Sequence, residues 1–377
     1  MASWARLRSG GDASHIPPMN IIQLVPSLDP SDGVGNYATL LAKALHSQTG
    51  ILNRMIVARP GDRNSEFPVM VLASQTSEAV AAMLSRASGT GGVLIVHLSH
   101  YGFAERGTPL WLVRGLERWI RLCPAAQLIV MFHELYATSQ PWRSSFWLSP
   151  VQKWITRRLL ELCDSAVTTT ERYETALLNW RPNVALRRLP MFSTVGEPAL
   201  VLPPADRANV AVVFGRAGVE DWLYGRRASD LAELVTKLNI ERIIDIGPRS
   251  RPVPAMIGHV PVEIRGVLPA DSISNILQDA RYGFIAYPPD LLGKSTTFAA
   301  YAAHGVLPIL LGRNTRENPG QEPLFLCDKA LRSFSPEQSL VFQARLRDWY
   351  ASHSITNQSK VWKDLIVSLG IKAACVS

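Results

Sequence analysis

The residues best suited to chemistry form a Gly-Lys-Ser-Thr-Thr sequence that begins at Gly293. This sequence follows the apolar run 283–287 and a Pro-Pro-Asp turn, and it precedes an alanine-rich run that stops at Gly305. The first run predicts a buried strand, and the second predicts a helix that ends at a glycine. A helix N-terminus beside a lysine and three hydroxyl groups suits a phosphate or diphosphate. The sequence therefore predicts an anion site that consists of Gly293, Lys294, Ser295, Thr296 and Thr297.

A second interpretation of this stretch stays open. The hydroxyl groups can simply cap the helix, with Lys294 solvated. A P-loop, by contrast, requires a glycine at position 288, where this chain has Pro288. The late position of the stretch in the chain also argues against a P-loop.

Polar side chains also follow two of the predicted strands. His133 and Glu134 come directly after the apolar run 128–132, and His100 and Tyr101 follow the preceding strand. Residues just after parallel strands lie at the carboxyl edge of a sheet, where ligands bind. A histidine there can act as a base toward a hydroxyl or hydrogen-bond a sugar, and a glutamate can bind sugar hydroxyls. A structural hydrogen-bonding role is the alternative for either histidine.

A glycine-bearing loop after the first predicted strand is the next candidate. Its two glycines would let the backbone approach a ligand closely, and a tight turn is the alternative. The loop lacks the third glycine and the acidic residue of a dinucleotide-binding fingerprint. The candidate residues of this loop are Gly33, Val34, Gly35, Asn36 and Tyr37.

The elements that must position these residues alternate between strand and helix. Such alternation predicts parallel sheets that are covered on both faces. The pattern restarts after a proline-rich stretch, 187–204, which is predicted to be a linker, and one predicted helix is 150–162. The predicted strands are 20–26, 54–58, 69–72, 93–98, 127–132, 165–168, 210–214, 242–246, 282–287 and 307–311.

The predicted fold class is therefore α/β, with two doubly wound parallel-sheet domains and a cleft between them. Residues 1–18 are expected to be a disordered lead-in, 19–200 the first domain and 201–345 the second. Residues 346–377 are expected to form a C-terminal helical segment that can pack back on the first domain.

The chain resembles bacterial glycosyltransferases with two facing Rossmann-like domains, the GT-B fold, and within them the family-4-like, group 1 transferases. The resemblance rests on the glycine loop at 32–37, the histidine-bearing loop at 132–136 and the region 265–308. In that last region a Gly-x-Leu turn precedes a short helix, a strand, a phosphate-binding loop, an alanine-rich helix and a Gly-x-x-Pro exit. The resemblance covers most of residues 20–345.

The resemblance implies a nucleotide-sugar donor in the second domain. Arg216, after the strand at 210–214, and a second cation from Arg226 or Arg227 would hold the donor diphosphate with the anion site. Surface arginines in a polar loop are the alternative. The residues implied to flank the nucleoside are Gly247, Arg249, Val267 and Leu268.

In the first domain the resemblance implies His133 and Glu134 as catalytic residues. The glycine loop, His100 and Tyr101 would then contact the sugar or the acceptor. One departure concerns the two glutamates that flank the donor sugar in the resembled family. Asp290 is the only acid near the first position, and Phe298 and alanines occupy the second region. The retaining stereochemistry linked to that pair is therefore not implied.

Composition and charge narrow the partners. The net charge of +8 favours an anionic partner, and the lack of an uninterrupted basic run argues against a nucleic-acid-binding arm. Four widely spaced cysteines indicate reduced thiols and neither a disulfide framework nor a zinc site. No metal and no cofactor are predicted.

The ends and surfaces of the chain bear on its location. The N-terminus lacks the apolar core of a signal peptide, and no apolar stretch reaches the about 18–20 residues that span a bilayer. We expect a cytoplasmic protein that is soluble or peripheral to the inner face of the plasma membrane. The Trp- and Arg-bearing segments 111–121 and 142–158 would meet a membrane or a lipid-linked acceptor, or else are core tryptophans beside solvated arginines.

The predicted function is metal-independent transfer of a sugar from a nucleotide-diphosphate sugar to an acceptor, in surface-polysaccharide or glycolipid assembly. A sugar-nucleotide 2-epimerase and a non-catalytic nucleotide-sugar-binding member of the fold are the alternatives.

Overall fold

The computed structural model describes residues 20–29, 32–51, 53–61, 65–89, 92–215, 218–311, 324–326 and 335–376, with 370–376 described by their backbone only. The predicted lead-in at 1–18 lies outside these residues, as does the candidate Arg216.

The first sheet has seven strands, and all of its neighbouring strands run parallel. In chain order the strands are β1 (Ile21–Val25), β2 (Asn53–Val57), β3 (Val69–Val71), β4 (Val93–Leu98), β5 (Gln127–Phe132), β6 (Ser165–Thr168) and β7 (Ala185–Arg188). The spatial order β3-β2-β1-β4-β5-β6-β7 places β1 and β4 in the middle. Helices cover both faces, so β4 is buried throughout and reads as the near-continuous apolar run VLIVHL.

The helices of this part begin and end at recognisable signals. They are α1 (Gly33–Thr49), α2 (Ser77–Ser88), α3 (His100–Phe103), α4 (Leu110–Leu122), α5 (Ser144–Leu162) and α6 (Glu171–Trp180). The Asp32 carboxylate caps α1 by accepting from the amides of Val34 and Gly35, and Gly50 ends the helix with φ 69°. Helix α5 starts six residues before its predicted start at 150 and continues through Pro150, which lacks the N–H of a regular turn.

The second sheet has six strands and is parallel except at one edge. Its strands are β8 (Ala208–Phe214), β9 (Arg242–Ile246), β10 (Met256–Ile257), β11 (Val260–Gly266), β12 (Ala280–Ile285) and β13 (Leu307–Leu310). The spatial order is β10-β11-β9-β8-β12-β13, and the β10–β11 pair is antiparallel. The predicted class, two doubly wound α/β sheets, is confirmed.

The remaining helices follow in chain order, and all but the last pack on the second sheet. They are α7 (Ala228–Lys237), α8 (Ala270–Asp279), α9 (Thr296–His304), α10 (Pro336–Ala351) and α11 (Ile355–Val376), with a π-helical segment at Asp221–Arg226 and 3₁₀ turns at Pro204–Asp206 and Pro289–Lys294. Tyr301 fixes α9 under the sheet, because its hydroxyl lies 3.1 Å from the Val212 carbonyl oxygen and 3.2 Å from that of Phe284, either of which can accept its proton. A Cβ on Gly283 would lie 2.5 Å from the Tyr301 ring, so β12 requires a glycine there.

The chain between the two sheets, which lies within the predicted linker 187–204, is largely buried at 189–195 and half-buried or exposed at 196–203. Arg187 and Arg188 still belong to β7, and Met191 and Phe192 lie in a hydrophobic core that continues from the first sheet into the second. The amide of Ser193 donates to the Tyr350 hydroxyl of α10 at 2.8 Å.

Helix α11 returns to the first sheet and packs on α1. The Tyr37 hydroxyl donates to Gln358 Oε1 at 3.0 Å, and the indole of the buried Trp362 donates to the same hydroxyl. The two sheets are therefore joined by the buried chain 189–195 and by α11. In the part of the chain that the structure describes, no helix is long and apolar enough to cross a membrane.

The two glycines at the start of α1 offer a matched test of how closely this helix approaches the loop after β1. A Cβ on Gly35 would lie 2.2 Å from the Ser27 carbonyl oxygen, whereas a Cβ on Gly33 would meet nothing within 4 Å. We expect Gly35→Ala to lower the free energy of unfolding by about 1–3 kcal/mol, because the backbone must shift. Gly33→Ala should leave it unchanged or raise it slightly, since alanine favours a helix. Urea denaturation measures both variants, and equal midpoints would contradict the close approach.

Candidate functional site

The predicted anion site forms a tight corner at the start of α9. Gly293 and Lys294 end a 3₁₀ turn, and Ser295 is the N-cap, with its hydroxyl accepting from the Phe298 amide at 3.1 Å. The Ser295 hydroxyl is thus committed to capping. The amides of Thr296 and Thr297 belong to the first helical turn, where no intrahelical acceptor is available, so they point a positive dipole end out of the helix.

This corner lies directly against the first sheet. A Cβ on Gly293 would be 2.6 Å from the Thr169 carbonyl oxygen, just after β6. The Met191 amide donates to the Gly293 carbonyl at 2.7 Å. Position 293 therefore requires a glycine, so that the carboxyl edges of the two sheets can meet here.

Side chains of α6 complete the contact. Arg172 pairs with Asp290 across the cleft at 2.8 Å, and Lys294 Nζ lies 5.9 Å from the centre of the Tyr173 ring. Burial and the nearby Glu134 and Asp290 carboxylates raise the pKa of Tyr173. A lysine, an arginine, two acids and a phenol therefore surround one point of the cleft.

His133 lies close enough to Lys294 for their charges to interact. Burial lowers the pKa of His133 well below its usual value, and His97 and the positive charge of Lys294 lower it further. The structure thus brings together two groups that the sequence assigned to different domains. At neutral pH this imidazole is uncharged beside a cation.

A line of buried polar side chains leads away from His133 into the first sheet. His133 Nε2 lies 3.2 Å from His97 Nδ1, and His97 Nε2 lies 2.8 Å from Gln23 Oε1. Gln23 Nε2 donates to Asn53 Oδ1 at 3.0 Å. His97, Gln23 and Asn53 are fully buried. Gln23 and His97 are the polar positions of two otherwise apolar strands, and Asn53 begins a third, which is the signal that sequence reasoning missed.

Glu134 and His100 hold the neighbouring loops together. Glu134 Oε1 accepts from the His100 amide at 2.6 Å, which fixes the carboxylate at the carboxyl edge of β4 and β5. The His100 ring points elsewhere, with Nε2 2.7 Å from the Leu135 carbonyl oxygen, and burial lowers its pKa. His100 therefore has the structural role that was the alternative to sugar contact, while Tyr101 is exposed.

The glycine loop divides into a surface part and a buried part. Gly33 is exposed and has open space, whereas the Ser27 carbonyl requires the second glycine, Gly35. The Tyr37 ring is fully buried, 5.4 Å from the His133 ring and stacked 4.5 Å from Phe192. The Tyr37 ring therefore packs against His133 inside the fold and does not lie at the surface of the loop. Val34 and Asn36 are half-buried at the loop surface.

Three glycines converge at the carboxyl edge of the second sheet. The Gly247 amide donates to the Gly266 carbonyl at 2.7 Å, and Gly247 has φ 123°. A Cβ on Gly247 would lie 2.1 Å from the Gly215 carbonyl oxygen, and one on Gly215 would lie 3.9 Å from Thr297 Oγ1. The loops implied to flank a nucleoside therefore adjoin the α9 corner. Next to them Val267 is exposed and Leu268 is half-buried.

The predicted nucleoside contact of Arg249 stays a prediction for its backbone, because its side chain is committed within this edge. It pairs with the buried Asp245 at 2.8 Å and donates to the carbonyls of Gly215 and Ile246, both at 3.0 Å. Arg226, a candidate for the diphosphate, is exposed and lies over the Trp222 ring. Among the described residues, no group of three or more His, Cys, Asp or Glu side chains can hold a metal ion.

Comparisons with known proteins place this geometry in a known fold. No protein-family model and no curated protein matches the sequence. Solved structures match over almost the whole chain. The pneumococcal O-GlcNAc transferase GtfA, solved with UDP and GlcNAc, is 11% identical with a TM-score of 0.59, and the match covers 93% of this chain and 99% of that one.

Two further structures show the same likeness. The α,α-trehalose 6-phosphate synthase of Burkholderia multivorans is 10% identical with a TM-score of 0.58, over 95% of this chain and 100% of that one. A protein assigned as UDP-N-acetylglucosamine 2-epimerase from Listeria monocytogenes is 10% identical with a TM-score of 0.52, over 91% of both chains. The chain has the GT-B fold. In this GT-B protein the cleft lies between the carboxyl edges of the two sheets.

The GT-B cleft also contains residues that the sequence did not single out. Arg172 and Tyr173 lie on α6, whose sequence ERYETALLNW was not assigned a role, and only the fold brings them to Lys294. The region where the resembled family carries its second glutamate is the start of α9, and Phe298, Ala299 and Ala300 are buried there. No carboxylate of α9 therefore faces the cleft at that point.

The neutral histidines of the cleft predict an acid-sensitive fold. Burial lowers the pKa of His97 to about 3 and that of His133 well below 6.5, so below pH 6.5 the unfolded chain binds protons that the folded chain does not. Stability should therefore fall on acidification from pH 7.5 to 5.5, approaching about 1.4 kcal/mol per pH unit for each such histidine. Urea midpoints across this range measure the slope. In His97→Gln the slope of stability against pH should correspond to one proton fewer taken up on unfolding. A slope identical to that of the wild type would contradict the prediction.

Proposed function

We propose that this protein is a glycosyltransferase that moves a sugar from a nucleotide-diphosphate sugar to a saccharide or lipid-linked saccharide acceptor, in bacterial surface-polysaccharide or glycolipid assembly. The observation that carries the proposal is the α9 corner, where Gly293 meets the Thr169 carbonyl of the first sheet and Lys294 lies 5.9 Å from the Tyr173 ring across the cleft of a GT-B fold. Structural neighbours solved with UDP support a nucleotide-sugar donor.

The α9 corner would hold the leaving diphosphate. When the glycosidic bond to phosphate breaks, negative charge develops on the diphosphate oxygens. Lys294 and the amides of Thr296 and Thr297 stabilise this charge, and Arg216 and Arg226 are the proposed further cations. Because these groups would stabilise the charge, we propose that the reaction does not depend on a metal. The loops at Gly247 and at Val267 and Leu268 would take the nucleoside through their backbone.

The first domain would present the sugar and the acceptor. Glu134 is held at the carboxyl edge by the His100 amide and would bind sugar hydroxyls. His133 would hydrogen-bond the sugar or the acceptor hydroxyl. The exposed Gly33 with Val34 and Asn36 would line the acceptor side, at the inner face of the plasma membrane.

Two other functions share the architecture. A 2-epimerase would release an altered or free sugar without an acceptor, and one structural neighbour is assigned to that class. Incubation with the donor alone, followed by analysis of the released sugar, separates an epimerase from a transferase. A non-catalytic binding protein would retain the nucleotide sugar and release nothing, and the absence of a glutamate from the start of α9 keeps this alternative open.

Lys294 is the residue on which the donor site depends most. A thermal-shift panel of nucleotide sugars first identifies the donor, because a ligand of the folded state raises the melting temperature. Lys294→Ala should then weaken donor affinity roughly 10–100-fold in calorimetry, since a hydrogen bond to a charged group contributes about 1.5–3 kcal/mol. The fold should survive. Lys360→Ala, on the exposed face of α11, is the control that should bind as the wild type does, and unchanged affinity in Lys294→Ala would count against the proposal.

The aromatic surface of α5 supports the proposed membrane contact. Trp142, Trp147 and Trp154 are 79%, 72% and 49% exposed, so these side chains are not core tryptophans. Between residues 135 and 160 the chain carries four basic residues and no acid, and two of the basic residues, Arg143 and Arg157, are exposed. Exposed tryptophans beside cations match an anionic lipid interface. The surface begins just after the loop that carries His133, so the membrane would lie beside the acceptor side.

This surface predicts binding to anionic vesicles. The protein should sediment with vesicles of phosphatidylcholine and phosphatidylglycerol and much less with phosphatidylcholine alone. The double variant Trp142→Ser/Trp147→Ser should lose most of the bound fraction while its melting temperature stays unchanged. Leu200→Ser, at a 77% exposed leucine outside the surface, is the control. Equal sedimentation of the double variant and the wild type would exclude this surface.

A further inference from the structure

In the buried line of side chains Asn53, Gln23, His97 and His133, the donor and the acceptor of every hydrogen bond are determined. It begins at Asn53, whose Nδ2 lies 3.4 Å from the carbonyl oxygens of Ala42 and Ile51. Carbonyl oxygens only accept, so the Asn53 amide nitrogen must face them and its Oδ1 must face Gln23. The amide orientation of Asn53 is therefore fixed by the backbone.

The fixed amide sets every later hydrogen bond. Asn53 Oδ1 accepts from Gln23 Nε2, which turns Gln23 Oε1 toward His97. This oxygen can only accept, so His97 carries its proton on Nε2. The other nitrogen of neutral His97, Nδ1, then carries a lone pair and accepts from His133 Nε2. Neutral His133 therefore has its proton on Nε2 and a lone pair on Nδ1.

We propose that Asn53, Gln23 and His97 are positioning residues that hold His133 in the Nε2–H tautomer, so that its Nδ1 offers only a hydrogen-bond acceptor to the ligand. Among the described residues, the hydrogen bond of the His133 ring is the one at Nε2. A ligand group that meets Nδ1 must donate, which selects a hydroxyl and disfavours a phosphate or carboxylate oxygen. This use of Nδ1 rests on the proposed function, whereas the tautomer rests on the hydrogen bonds alone.

Imidazole ¹⁵N NMR of the full-length protein tests the tautomer without any activity. At pH 7.5 the wild-type His133 should show a protonated Nε2 and an unprotonated Nδ1. Gln23→Met removes the link between Asn53 and His97, so His97 can reverse and His133 should populate both tautomers. Gln343→Met is the matched control. Gln343 is also a buried glutamine, but it lies in α10 and donates to backbone carbonyls that are not part of the line. A wild-type His133 with its proton on Nδ1 would overturn the proposal.

The variants extend the test to donor binding. If Gln23→Met leaves half of the molecules in the competent tautomer, the apparent donor affinity should fall at least twofold. His97→Gln can still donate to Gln23 and accept from His133, so it should retain the Nε2–H tautomer and the affinity. If Gln23→Met does not fold, Asn53→Leu breaks the same line one residue further from the cleft. If either of these variants, Gln23→Met or Asn53→Leu, folds and the tautomer of His133 is unchanged, the proposal is overturned.

Singly deoxygenated donors show which ligand group meets Nδ1. One deoxy donor should bind the wild type more weakly than the parent donor does. In His133→Ala this deoxy donor and the parent donor should bind equally well, since the hydroxyl in question has no partner in that variant. Equal losses in both proteins for every deoxy donor would exclude a hydroxyl at Nδ1. If the tautomer is as expected and no nucleotide sugar binds, the positioning line stands and the proposed function fails.

Discussion

The backbone contact at Gly293 is the constraint on which the site depends. Its carbonyl accepts from Met191 of the buried connection, and its Cα lies so close to the Thr169 carbonyl that a Cβ would be 2.6 Å away. The contact brings the carboxyl edge of one parallel sheet against that of the other. Every cross-cleft pair described above, including Arg172 with Asp290 and Lys294 with Tyr173, follows from this approach.

The cleft is electrostatically suited to an anion. Burial keeps the His133 imidazole uncharged, and the start of α9 carries the positive end of the helix dipole without an acidic residue in its first turn. The nearest carboxylates are already engaged, Asp290 by Arg172 and Glu134 by the His100 amide. A neutral histidine beside a lysine avoids the repulsion that an imidazolium would bring. The polar line behind His133 achieves this without placing a second charge in the core.

Several parts of the site were predictable because local sequence determines them. Glycine and a capping serine around Lys294 predicted the α9 corner, and His133 after an apolar run predicted a side chain at the carboxyl edge of a sheet. For other residues the side-chain contacts could not be predicted, because only burial reveals them. Arg249 neutralises Asp245 and serves carbonyls at the strand ends, and Tyr37 lies under the histidine that it was expected to accompany. An arginine or a tyrosine after a strand looks the same in sequence whether it turns inward or outward.

The sequence by itself determined the two α/β units and the corner at Gly293, because periodicity, glycine and capping act over a few neighbouring residues. The strands β7, β10 and β11 were not predicted. Only the tertiary structure decided which distant groups meet. It placed α6 over Lys294, turned Trp142 and Trp147 outward, and joined Asn53, Gln23, His97 and His133 into one line. Those contacts depend on the winding order β2-β1-β4-β5, which places four strands side by side and brings β1 next to β4. The pairing of strands over long range, and not local propensity, therefore determines the chemistry of His133.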